Sequence, residues 1–207
     1  MSNENLITLP DKLGRKINSM GITKIRTDSF GKPTFKYTKE ELAKVTKLTY
    51  GYDHNERYDN NDGYDHNDLY DALVGIEFLP NLEKLWVRCN DVTLSEVRKS
   101  SISEKDVESI EQCGKLSELA IVNQSKIHKI YLGNLKKLKY LNISCNYNLC
   151  EVLGIDQCSE LEKLYISGNE SLMCVAGLQE AILNNNLSTQ ELDIRLFPSV
   201  IRVIFWI

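Results

Sequence analysis

The sequence is short of proline, with four residues in 207, and of histidine, with three. It has no long apolar run. The most apolar stretch, Val200 to Ile207, is interrupted by Arg202 and falls far short of the ~20 residues that span a bilayer, so no membrane contact is expected. Met1 to Leu9 contains no basic segment followed by an apolar core, so no signal peptide is expected and the cytoplasm is the expected compartment. Positive charge is not in excess. A formal net charge of −4 excludes a nucleic-acid binder working through bulk electrostatics, while leaving room for a local basic patch. The six cysteines form no C-x-x-C, the closest pair being Cys145 and Cys150 with four residues between them. Reduced thiols and no zinc site are the expectation. A Gly-rich phosphate loop, H-E-x-x-H and G-x-S-x-G are all missing, so no cofactor and no catalytic residue is expected.

What the sequence does have is a repeat. Leu161, Leu164, Ile166 and Asn169 read L-x-x-L-x-I-x-x-N, and the same frame holds Leu138, Leu141, Ile143 and Asn146, and again Leu82, Leu85, Val87 and Asn90. Weaker copies are Leu116, Leu119, Ile121, Gln124 and Val45, Leu48, Tyr50, Asp53. Successive side chains of a strand point to opposite faces, which sends Leu164 and Ile166 inward and Lys163, Tyr165 and Ser167 outward. One such strand cannot bury its apolar side alone, so copies must stack. Leu119 and Leu141 are 22 residues apart, Leu141 and Leu164 23. Ile127, Leu149 and Leu172 follow the Asn-type position by three residues, and Ile130, Val152 and Val175 follow it by six. Cys113 and Cys158 stand where Leu79 and Leu135 stand in other copies, as small core hydrophobes. Cys89 and Cys145 directly precede the Asn position, read as another inward-turning site. The Asn position itself is polar and inward, a place for an amide to satisfy the backbone of neighbouring turns.

This pattern resembles the leucine-rich-repeat family, in particular the short-repeat class that includes a phosphatase regulatory subunit and the internalins. The resemblance implies an irregular α/β solenoid with a parallel concave sheet and a helical or irregular convex side, beginning in an N-terminal helical cap. About six to seven units of 20 to 29 residues fit the chain length.

The periodicity predicts a helix from Leu9 to Met20 (Leu9, Leu13, Ile17, with Gly21 as the stop), covering the open end of the core. Thr38 and Glu41 form a capping box within T-K-E-E-L-A-K-V-T-K-L, which resembles the entry segment of internalin-like repeats. Residues 1–44 are thus the cap and 45–207 the solenoid. Insertions at about 51–72 and 92–114 interrupt it. The first carries Tyr52-Asp53-His54-Asn55 and, twelve residues on, Tyr64-Asp65-His66-Asn67. It fails as a calcium loop, because setting Gly63 at the sixth position puts Tyr58 and Leu69 where carboxylates are needed. It reads as a polar surface excursion. The second holds a helix with Ser103 as N-cap, Val107, Ile110 and Cys113 on one stripe, and Gly114 at its end. Leu192-Asp193-Ile194 reads as a last strand.

Function is expected on the outward strand positions, since repeat proteins bind with that surface. Lys84, Trp86, Arg88, Tyr140, Asn142, Lys163, Tyr165 and Arg195 are the candidate protein-binding residues, because Trp, Tyr and Arg dominate interface energetics. The expectation is a monomeric, non-catalytic module for a protein partner of unknown identity. The alternatives are a regulatory subunit of an enzyme such as a protein phosphatase, a secreted host-directed internalin-like effector, and a metal-dependent enzyme using the loop from Tyr52 to Asp71.

Overall fold

The computed structural model describes residues 6–22, 25–27, 33–50, 72–88, 101–184 and 192–193, with the backbone alone at 25–27, 33, 184 and 192–193. The loop from Tyr52 to Asp71, with Asp53 in it, and Cys89, Asn90 and Arg195 lie outside the described residues.

The repeat frame becomes a six-stranded parallel sheet. Its strands are β4 (Lys47–Tyr50), β5 (Lys84–Arg88), β6 (Glu118–Val122), β8 (Tyr140–Asn142), β10 (Lys163–Tyr165) and β12 (Leu192–Asp193), in the spatial order β12-β10-β8-β6-β5-β4. The register repeats the sequence frame residue for residue: Leu48 faces Leu85, then come Leu119, Leu141, Leu164 and Leu192. Leu85, Leu119, Leu141 and Leu164 are fully buried. Each turn of chain is tied to the next by one carbonyl that accepts two N–H groups. Thr46 O takes Glu83 and Lys84, Glu83 O takes Ser117 and Glu118, Ser117 O takes Lys139 and Tyr140, and Lys139 O takes Glu162 and Lys163. This parallel α/β arrangement fits the expected leucine-rich-repeat fold.

Two parts of the expectation need correction. The side opposite the six-stranded sheet is not merely helical or irregular. The positions six residues past the Asn site form a second parallel sheet of β7 (Lys129–Tyr131), β9 (Glu151–Leu153) and β11 (Cys174–Val175), pairing Ile130, Val152 and Val175 in register. Repeat lengths of 22 and 23 residues bring those residues level, and their backbones then pair. Nor is the N-terminal segment a helix alone. Helix α1 (Asp11–Ser19) packs on an antiparallel sheet of β1 (Ile7–Leu9), β3 (Pro33–Tyr37) and β2 (Ile25–Thr27), with Leu9 on β1 rather than in the helix. Gly14 permits the contact, since a Cβ there would run into the Phe35 ring. The Tyr37 hydroxyl, fully buried, donates to Gly14 O at 2.9 Å.

The capping box expected at Thr38 forms, and the Ser103 N-cap proves to be part of a second one. Helix α2 (Lys39–Leu42) has Glu41 N donating to Thr38 Oγ1 and Thr38 N to Glu41 Oε2. In α3 (Glu104–Glu111), Ser103 and Asp106 do the same, and Asp106 Oδ1 also accepts from Leu73 N at 2.6 Å. That fully buried carboxylate pins the helix to the chain leaving the first insertion. Val107, Ile110 and Cys113 are buried, as the stripe predicts. A last helix, α4 (Leu178–Asn184), follows β11.

The ladder lies under the sheet. Gln124, Asn146 and Asn169 are buried to 1% exposure or less. Asn169 Oδ1 accepts from Asn146 N, Asn146 Oδ1 from Gln124 N, and Gln124 Oε1 from Ile102 N. Asn146 Nδ2 donates to Ile121 O and Ile143 O. The residue just before each rung has a left-handed backbone: Asn123 and Cys145 at φ 60°, Gly168 at φ 75°. Cys145 is therefore a half-buried turn residue rather than the inward core residue expected. Cys113 and Cys158, by contrast, are buried as expected.

Candidate functional site

Strand register arranges the outer face of the six-stranded sheet in rows. Lys47, Lys84, Glu118, Tyr140 and Lys163 lie level with one another. The next row is Thr49, Trp86, Ala120, Asn142 and Tyr165, and Arg88 pairs with Val122 beyond it. Lys84, Trp86, Arg88, Tyr140, Asn142, Lys163 and Tyr165 thus share one face. They alternate with fully buried Leu85, Val87, Leu141 and Leu164, so the alternation read from sequence holds on each of these strands.

Two clusters occupy the face. At one end two cations lie against the Trp86 indole: Lys47 Nζ and Arg88 Cζ are each 5.4 Å from the ring centroid. This is within the range where the ring quadrupole attracts a cation. Lys84 Nζ bonds Glu118 Oε1 at 2.6 Å beside it. Thr46, Lys47, Glu83, Lys84, Trp86 and Glu118 line a surface pocket of about 340 Å³. At the other end the Tyr140 and Tyr165 rings lie 5.5 Å apart, tilted by 42°. Asn142 sits between the clusters and uses its carbonyl locally, accepting from Ser144 N at 3.1 Å. Its amide nitrogen lies 3.5 Å from the Tyr140 hydroxyl.

Ala120 departs from the sequence reading. It occupies an outward position yet is fully buried, because a methyl group set between Trp86 and Asn142 is overtopped by its neighbours. Lys47 and Glu118 are the residues that reasoning from sequence left out of the site. They were legible as row mates of Lys84, but their engagement with Trp86 and Lys84 depends on side-chain reach across strands.

Two buried donors stand out. Among the described residues, three buried side-chain polar atoms lack a hydrogen-bond partner, and two of them, Trp86 Nε1 and Arg88 Nε, belong to the same cluster. Buried polar groups are otherwise almost always paired.

Among the described residues, the groups with shifted proton affinity lie away from this face. Burial pushes the Cys113 and Cys158 thiols up to about 12, with Glu77 and Asp156 adding repulsion. Burial also raises the Glu111 carboxyl, opposed by the Tyr131 N–H that it accepts at 3.1 Å. His128 is exposed and lies 3.1 Å from Glu104 Oε1. Among the described residues, no three His, Cys, Asp or Glu side chains converge on a metal-sized site, and no helix is long and apolar enough to cross a membrane.

No protein-family model matches the chain, and no curated protein matches it. Among solved structures, an internalin C2 from Listeria monocytogenes str. 4b F2365 is 15% identical, with 86% of this chain and 89% of that one covered at a TM-score of 0.29. An internalin (inlF) from the same strain is also 15% identical, covering 86% of this chain and 67% of that one at a TM-score of 0.28. Likeness at this level fixes neither fold nor function. The repeat assignment rests on strand register and the buried amide ladder.

Proposed function

We propose that this chain is an irregular leucine-rich-repeat solenoid acting as a non-catalytic protein-interaction module, and that it takes its partner on the concave outer face of the six-stranded sheet. The supporting observation is the Trp86 cluster, an aromatic with two adjacent cations and two unpartnered buried donors on an otherwise regular sheet. Buried donors left without an acceptor cost the fold stability rather than adding to it. Interfaces, by contrast, draw most of their energy from a few Trp, Tyr and Arg residues. The reading takes the protein as a monomer of the cytoplasm.

Purified protein carrying Trp86→Ala or Tyr165→Ala should keep its circular dichroism and lose partner capture, whereas His128→Ala should lose neither. Capture that survives both aromatic substitutions would refute the assignment of the face.

A further inference from the structure

Resting on that reading of the face, we propose that its partner is a proline-rich segment of protein in the polyproline conformation, laid across the strands from Trp86 to Tyr165. Carbonyl oxygens of the segment take the donors of Trp86 and Arg88, and its pyrrolidine rings rest on Tyr140 and Tyr165.

The sheet itself narrows the choice. β5, β6, β8 and β10 each have a strand on either side, so a partner on this face cannot join as a further strand and meets only side chains. Those side chains are rings and donors. Trp86, Tyr140 and Tyr165 are half-buried, and the tyrosine rings are inclined at 42° with centroids 5.5 Å apart. An inclined pair leaves room for an apolar ring against both, as aromatic-lined grooves take proline.

Hydrogen bonding selects the backbone. Trp86 Nε1 and Arg88 Nε are buried donors without an acceptor. The strong acceptors between Trp86 and the tyrosines are already engaged: Glu118 by Lys84 at 2.6 Å, and Asn142 Oδ1 by Ser144 N at 3.1 Å. An ordinary segment brings an N–H for every carbonyl, and on such a face those N–H groups find little to bind. Proline brings a carbonyl and no N–H. The charge complementarity is that of a guanidinium and an indole N–H dipole against carbonyl oxygens. The segment reaches both donors by turning Arg88 aside from the indole it overlies, and two unpaired donors become two bonded ones.

The surroundings do not call for a carboxylate in the same place. Glu83 and Glu118 stand with Lys47 and Lys84 around the pocket beside Trp86, and the row through Trp86 and Tyr165 runs on to Asp193. Spacing suits the polyproline helix. Trp86 and Tyr165 lie in one row, three strands apart, which is roughly 14 Å at the usual strand separation. At about 3.1 Å per residue, about five prolines cover that distance, with no internal hydrogen bonds to break.

The probe is a blocked peptide of nine prolines carrying an uncharged fluorophore, its anisotropy followed as the protein is added. The expected result is saturable binding that changes little between low and high salt, because the peptide has no charge to screen. Trp86→Phe keeps an aromatic ring and removes the N–H, and should weaken binding roughly fivefold. Arg88→Met keeps an apolar stem and removes the donors, and should do the same; it serves as the check should Trp86→Phe fail to fold. Tyr165→Ala should weaken binding roughly fivefold or more. Equal binding of a blocked glycine–serine peptide of the same length would overturn the proposal. So would tighter binding of a polyglutamate peptide or a single-stranded oligonucleotide, a concentration-dependent dimer abolished by Trp86→Ala, or affinity that Trp86→Phe and Arg88→Met leave unchanged. If the proline probe fails while Trp86→Ala still abolishes partner capture, the face stands as a binding surface and its choice of proline falls. Capture that survives both Trp86→Ala and Tyr165→Ala removes the face itself.

Discussion

The backbone N–H of Asn146 donates to Oδ1 of Asn169 across 2.7 Å, from one turn of the chain to the next. Asn146 repeats the gesture towards Gln124 with its own Oδ1 at 2.9 Å, and its amide nitrogen closes onto two carbonyls. One side chain therefore satisfies three backbone groups that would otherwise be buried unpaired.

Asn146→Ala should accordingly lower stability by roughly 1 to 3 kcal/mol, the cost of orphaning buried polar groups. Chemical denaturation of the variant against the parent measures it. Coincident curves would mean that the ladder contributes nothing.

Gly168 and Cys145 occupy the same left-handed site in successive turns but should respond in opposite senses to substitution. A Cβ on Gly168 would lie 2.9 Å from Cys145 Sγ, at φ 75°. Gly168→Ala should therefore cost about 1 to 2 kcal/mol. Cys145→Gly removes a side chain from a φ of 60° and should be neutral or slightly stabilising. Thermal melts of the two variants give the comparison.

Stability should decline at alkaline pH. Burial, with a contribution from Glu41, pushes the Tyr37 phenol up to about 12 from its ordinary 10.0. The unfolded chain gives up this proton near pH 10 and the folded chain holds it to about 12. The stability tied to the neutral phenol is thus intact below pH 10 and lost between pH 10 and 12. Tyr37→Phe should lose about 1 kcal/mol at neutral pH, through the bond to Gly14 O, and show a shallower decline across that window. Urea midpoints measured against pH test both halves.

Thiol reactivity should split by position. Cys174 is exposed, whereas Cys113 and Cys158 are buried with their thiols raised to about 12. At pH 8 a thiol reagent should label Cys174 promptly and reach Cys113 and Cys158 only on unfolding. In denatured, unreduced protein all six cysteines should titrate.

Replacing Trp86 should be felt in the fold as well as in binding. The side chain is half-buried and stacks with two cations, so Trp86→Ala should cost about 1 to 2 kcal/mol of stability. His128→Ala, at an exposed site, should stay within about 0.5 kcal/mol. Denaturation midpoints of the pair settle the difference.

The sequence by itself determined the strands of the six-stranded sheet, their register and the inward rung, because these follow from local periodicities. A residue two places along a strand faces the same way, and a residue one repeat along lies beside it. That is why Leu48, Leu85, Leu119, Leu141 and Leu164 line up as their spacing predicts, and why seven of the candidate residues share a face. Tertiary structure decided what depends on distance across turns. The second sheet through Ile130, Val152 and Val175 forms because repeat lengths of 22 and 23 residues bring three segments level, and pairing is a property of neighbours rather than of any one segment. The antiparallel sheet under α1 depends on Gly14 admitting the Phe35 ring. The burial of Ala120 and the approach of Lys47 and Arg88 to Trp86 are set by side-chain length across adjacent strands. Periodicity says which way a side chain points and is silent on what stands over it.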